Sequence, residues 1–221
     1  MKYLLLLICI YMCSSCNKTP IETPYIFSDA SYKVIITMNW TSPQLGVPQG
    51  AHVTPIVGMI HSRDTFLWKE NTLATTGLKD VAETGNTIKM NAQIDSIILR
   101  NKALSKFQLM PPIITSTAEF IINVNSYYSF ISFASMIAPS PDWFMGVSNA
   151  NLFVNNKWVN ELVLNVKVYD AGTKDGDKFS YAFPETFPKQ NIIILSPANA
   201  QVLANGNASI IPIATISFTK N

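Results

Sequence analysis

Charge is scarce in this chain. Charged side chains make up 14% of its 221 residues, against about 25% in an average soluble domain. Intrinsic disorder needs low hydrophobicity with high net charge, and a hydrophobic content of 48% excludes it. The 16 basic and 14 acidic residues nearly cancel, and no basic cluster stands out, so nucleic-acid binding is excluded. Histidine is limited to His52 and His61, the only side chains that titrate near neutrality without help. Both lie in a Pro/Gly-rich third without a carboxylate pattern to orient them, which makes them loop or structural histidines. The three cysteines, Cys9, Cys13 and Cys16, all fall in the first sixteen residues. There is no G-x-S-x-G elbow, no H-E-x-x-H helix, no phosphate loop and no dinucleotide fingerprint. The expectation is a domain that is not an enzyme.

The start of the chain is not expected to belong to the fold. Lys2 gives a positive charge, and Tyr3 to Met12 form a ten-residue apolar run. Ten residues span roughly 15 Å as a helix, about half a bilayer core, so the run suits an export leader rather than a membrane span. Cys13-Ser-Ser-Cys16 follows and resembles the lipobox of a bacterial lipoprotein, with Cys13 where a leucine is usual. The same residues also read as C-x-x-C, but no second ligand pair exists downstream. The lipobox reading predicts a leader over 1–15, lipidation at Cys16, a tether over 16–30 and a domain over 31–221. Cleavage before Cys16 leaves one thiol, which the lipid occupies. The implied partner is outer-membrane lipid, and the implied location is the envelope of a Gram-negative cell, leaflet unassigned. Asn17 is not the aspartate associated with inner-membrane retention.

Thirteen prolines and abundant Thr, Asn, Ile and Val favour strands and turns. Tyr32, Val34, Ile36, Met38 and Trp40 alternate with polar residues, a half-wet strand. Residues 41–57 carry Pro43, Gly46, Pro48, Gly50 and Pro55, and read as loop and broken strand. Helices are predicted over about 73–83 and 87–101, the second from the spacing of Met90, Ile94, Ile97 and Ile98. Further strands are predicted near 117–124, 128–137, 151–154, 158–168, 191–195 and 209–218, the first two joined as a hairpin through Asn125-Ser126. About seven strands at short spacing predict an all-β protein, an antiparallel β-sandwich with one or two short helices.

Two loops stand out. Pro139-Ser-Pro-Asp142-Trp143 follows one predicted strand, and Asp170-Ala-Gly-Thr-Lys-Asp175-Gly-Asp177 ends another. Strand parity sets both loops at the same end of the sandwich. Asp142, Asp170, Asp175 and Asp177 can then converge. Oxygen ligands of one sign suit calcium, which takes six to eight oxygens. The alternative is ordinary turn aspartates bonding their own backbone. Trp143 is expected to pack under its loop.

The same residues carry a family resemblance. Pro139-Ser-Pro-Asp-Trp143, Gly146, Trp158-Val159 and Asp170-Ala-Gly-Thr173 resemble the spondin N-terminal domain of F-spondin and mindin. Upstream, Asn39-Trp40, His52, Gly58, His61-Ser62, Leu67-Trp68, Gly77-Leu-Lys79 and Ala82-Glu-Thr-Gly85 continue the likeness across residues 32–218. The resemblance implies an antiparallel sandwich related to calcium- and phospholipid-binding domains, acting in adhesion to matrix, cells or microbial surfaces. It also implies one calcium ion held by Asp142, Asp170 and a third aspartate. That third position is Lys174 here, with Asp175 one residue later as the substitute. Two readings stay open: a lipid-anchored recognition module for an extracellular protein or glycan, and a structural envelope lipoprotein without a soluble ligand.

Overall fold

In a computed structural model, residues 27–40, 46–110 and 114–221 are described. The expected leader, Cys16 and most of the tether lie outside these residues. Twelve strands and three helices follow in chain order: β1 (Asp29–Met38), β2 (His52–Val53), β3 (Ile56–His61), α1 (Thr76–Thr84), α2 (Ile88–Leu99), β4 (Ala103–Leu109), β5 (Thr117–Asn125), β6 (Phe130–Ala138), β7 (Trp143–Asn151), β8 (Phe153–Val154), β9 (Lys157–Trp158), β10 (Glu161–Asp170), β11 (Ile193–Ile194), α3 (Gln201–Ala204) and β12 (Ala214–Lys220). Every pairing between these strands is antiparallel. The main sheet runs β4-β3-β6-β7-β10-β12-β1-β5, with β2 and β11 added at the sides and β8-β9 a separate hairpin. The sheet curls on itself into a nearly closed sandwich, and Phe107 of β4 meets Phe120 of β5 across the seam at 5.3 Å. The all-β expectation holds.

The period-two pattern of β1 explains its place. Tyr32, Val34, Ile36 and Met38 are buried, while the residues between them are not. They meet Phe133, Trp143, Met145, Val166, Ile216 and Phe218 in the main core. Strands β3, β6, β7 and β10 are loaded on their second face as well. Val57, Met59, Ala134, Phe144 and Tyr169 form a smaller core with Leu78, Val81, Met90 and Ile94 of the two helices. Thr75 starts α1 by accepting a hydrogen bond from the Leu78 N–H at 3.2 Å, and Gly85 ends it in the left-handed region.

Three differences from the sequence reading matter. β5 and β6 do not pair as a hairpin. The chain turns tightly, with Tyr128 N–H donating to Asn125 O at 2.9 Å, but β5 then lies beside β1 and β6 beside β3 and β7. β6 is apolar on both faces and needs a central position covered on both sides, whereas β5 keeps one wet face and takes an edge. β7 occupies Trp143–Asn151, ahead of the short strand expected at 151–154. β4 forms over Ala103–Leu109, where the sequence pattern predicts no strand. The parity conclusion survives, because β7 supplies the returning strand between β6 and β10.

Candidate metal centre

Asp142 follows β6 in a loop locked by its own hydroxyl. Ser140 Oγ donates to Ile137 O at 2.6 Å and accepts from Trp143 N–H at 3.2 Å. Trp143 is fully buried, as expected, and its ring meets Phe179 edge-on at 5.6 Å. Phe179 also packs against Trp40 at 6.0 Å, so these two tryptophans clamp the arm that leaves β10. Gly172 begins that arm at φ 70, where an added Cβ would lie 2.2 Å from Gln190 O. Gly176, at φ 139, lets the arm press on Pro141 of the opposing loop. The aspartate loops are thus held against each other by packing.

Asp142 is completely buried, and its two oxygens are unlike. Oδ2 accepts three hydrogen bonds: from Thr173 N–H at 2.6 Å, Thr173 Oγ at 3.0 Å and Lys174 N–H at 2.9 Å. Oδ1 has no partner. Burial pushes the carboxyl's pKa above the ordinary carboxylate range despite those three donors, and the Glu83 charge adds to the rise. Glu83 belongs to the last turn of α1, and its Oε1 is likewise buried without a hydrogen bond. Lys79 lies 3.7 Å from it but donates instead to Glu185 at 2.9 Å.

Asp170 is brought to the same place. Its Oδ1 accepts from Gly172 N–H at 2.7 Å. Its pKa is pushed up to about 7 by burial first and by the Asp142 charge second, with a smaller contribution from Asp175. The Trp143 indole favours the charged form, although Nε1 makes no hydrogen bond of ordinary geometry. Asp175 stands at the exposed rim, where its Oδ1 accepts from Thr186 Oγ at 2.7 Å. Asp177 is exposed in the arm. Lys174 reaches Tyr181 O at 3.5 Å, so its ammonium is engaged along the arm. Among the described residues no three acidic, histidine or cysteine side chains close into a metal cage.

The centre therefore gathers like charges that act on one another: fully buried Asp142 with half-buried Asp170 and with Glu83, and exposed Asp175 at the edge. A buried oxygen without a partner, Asp142 Oδ1, is the kind of group a cation satisfies, and Glu83 Oε1 has no hydrogen bond beyond its 3.7 Å approach to Lys79. A bound ion would supply the positive charge, with Asp142 Oδ1 and Asp170 as its first ligands and Glu83 drawn in. Glu83 is absent from the aspartate set read from sequence. Its one sequence signal is the Ala82-Glu-Thr-Gly85 segment of the family likeness.

The match to known proteins covers these elements. The Spondin_N family model matches residues 30–205. The chain belongs to the Spondin_N family. This Spondin_N domain is 26% identical over 205 residues to Spondin-2 of Rattus norvegicus, covering 86% of the chain and 62% of that relative. It is 27% identical over 185 residues to Spondin-2 of Homo sapiens, covering 80% and 55%. It is 30% identical over 174 residues to Spondin-1 of Gallus gallus, covering 74% of the chain and 21% of the relative. The chain thus spans under two thirds of the length of these relatives. The family match ends before β12, which the Spondin_N domain needs to join β1 to β10.

Proposed function

We propose that this Spondin_N domain is an exported, lipid-anchored recognition module whose aspartate loops bind one calcium ion and form the contact edge for an extracellular protein or glycan. The observation that carries the reading is Asp142. A fully buried carboxylate with one saturated oxygen and one orphan is costly unless a cation completes it. The Glu83 charge raises that cost further, and the Asp142 charge in turn disfavours ionised Asp170. Calcium would cross-link the loop after β6 to the arm after β10. Adhesion is the activity implied by the family likeness, and an exported location agrees with the apolar leader. Catalysis has no support from the residues: His61, the buried histidine, is engaged with Ser132 and Ser62 inside the fold.

Thermal melting with calcium tests the ion. At a hundredfold excess over Kd, calcium should stabilise the protein by about 2.7 kcal/mol, a rise of roughly 5–10 °C for a domain of this size. Extracellular calcium modules bind at ~0.1–1 mM, so the titration must reach tens of millimolar. An unchanged melting temperature overturns the calcium reading. The anchor is tested separately. Cys16→Ser should move the protein to the soluble fraction, and palmitate still entering that variant would sink the lipidation assignment.

A further inference from the structure

The opposite end of the sandwich holds a groove of about 910 Å³, within the usual size of a ligand site. Its walls are the turn after β3, the β5–β6 connection and the β8–β9 hairpin. β6 begins there at Phe130 and runs nine residues to Ala138, next to the aspartate loops, so roughly 30 Å separates groove and metal centre.

The lining is chemically specific. Arg63 is exposed and makes no ion pair or hydrogen bond among the described residues. Its neighbour Asp64 is already neutralised by Lys102 at 2.6 Å and bonded by Ser62 at 2.7 Å. The groove thus presents an uncompensated guanidinium, a planar fork suited to a carboxylate. Asn155 and Asn156 sit at φ 52 and 60 in the two-residue turn between Val154 and Lys157. That left-handed pair holds both amides outward, and neither side chain has a hydrogen bond among the described residues. Asn151 Oδ1 accepts from Ser129 Oγ at 3.1 Å and Phe153 N–H at 3.0 Å, which leaves its amide N–H groups as donors. Phe130 and Phe153 add half-buried rings, the second held by Trp158 at 4.7 Å.

We propose that this groove binds an acidic oligosaccharide, one containing uronic acid. Amides offer donors and acceptors together, which sugar hydroxyls require. Fixed aromatic rings match the apolar C–H face of a pyranose. The guanidinium takes the carboxylate. The site is separate from the metal centre, so binding proceeds without calcium.

Calorimetric titration of the full-length protein with tetragalacturonate, against neutral cellotetraose, provides the test. Tetragalacturonate should bind saturably and at least tenfold more tightly than cellotetraose. Arg63→Ala should weaken it about tenfold, the loss of one charge-assisted contact. The double variant Asn155→Gly, Asn156→Gly keeps the left-handed turn and should weaken binding several-fold at unchanged melting temperature. EDTA should leave affinity intact. No saturable binding of the acid, equal affinity for both sugars, or no effect of Arg63→Ala overturns the proposal. Loss of binding in EDTA also overturns it, by moving the ligand to the aspartate end. A missing calcium response leaves it standing.

Discussion

The molecule buries two polar pairs that face opposite fates. His61 and Ser132 lie in the interior with every group answered. His61 Nδ1 meets Ser62 O at 2.8 Å, and a carbonyl only accepts, so the ring proton is on Nδ1. Nε2 then accepts from Ser132 Oγ at 2.8 Å, and that hydroxyl accepts from Asn149 N–H at 2.9 Å. Asp142 lies as deep, yet its Oδ1 has no partner, and the like charge of half-buried Glu83, whose Oε1 has no hydrogen bond and only Lys79 at 3.7 Å, bears on it. A closed neutral network specifies a structure. An open anionic one is a structure awaiting a ligand. Depth and polarity alone do not separate Asp142 from His61, because both side chains are fully buried.

The largest effect should come from removing the buried ring beneath the open site. Trp143→Ala truncates a fully buried indole and should cost about 3–5 kcal/mol, a fall of more than about 6 °C in melting temperature. A fall of a degree or two would place Trp143 outside the core.

Next, one substitution in each pair should have opposite signs. Ser132→Ala strands His61 Nε2 and Asn149 N–H and should destabilise by about 1–3 kcal/mol. Asp142→Asn keeps an oxygen for Thr173 and Lys174 and removes the charge that burial and Glu83 disfavour. Without calcium it should therefore stabilise, by about 1–2 kcal/mol, while abolishing any calcium response. Chemical denaturation in EDTA measures both, and destabilisation by both variants would remove the distinction between the pairs.

Acid should probe the closed pair by itself. Burial lowers the His61 pKa below 6.5, and the bond to Ser62 O only partly opposes this. A histidine kept neutral contributes stability that is complete above its unfolded pKa and is lost as pH falls through it. The stability gap between wild type and His61→Gln should thus narrow from pH 8 to pH 5. A gap that is constant or widens contradicts a buried neutral ring.

The smallest effect concerns Lys174. Its ammonium is drawn to Tyr181 O, so Lys174→Asp should enlarge a calcium-induced melting shift by only a degree or two. A calcium response that appears only in this variant would mean that Lys174 had disabled the centre.

Much of this was legible in the chain itself. Alternation from Tyr32 to Met38 marks β1 because one of its faces is wet. The same rule fails for β7, whose first five residues, Trp143–Val147, are all buried, so no alternation exists to read. It also fails to locate partners: Asn125-Ser126 signals a turn correctly but cannot say that the strands on either side part company. Asp142 and Asp170 were legible because each closes a strand in a Pro- or Gly-marked loop. Glu83 was not, since a carboxylate in the last turn of an amphipathic helix looks like any solvated one. Only the packing of α1 against the sheet turns it inward. Asp175 was placed near the centre but sits at its rim, because Thr186 takes its oxygen.

The last strand of the chain is not at an edge. β12 lies between β10 and β1, with Val34 paired to Phe218 and Leu162 paired to Phe218 from the other side. The first strand, β1, cannot bridge to β10 until residues 214–220 exist and arrive. Closure of the sheet is thus a late, long-range event, of the kind that makes β-rich chains slow to fold. Any truncation that removes residues 214–220 should therefore leave β1 and β5 without their link to the rest of the sheet.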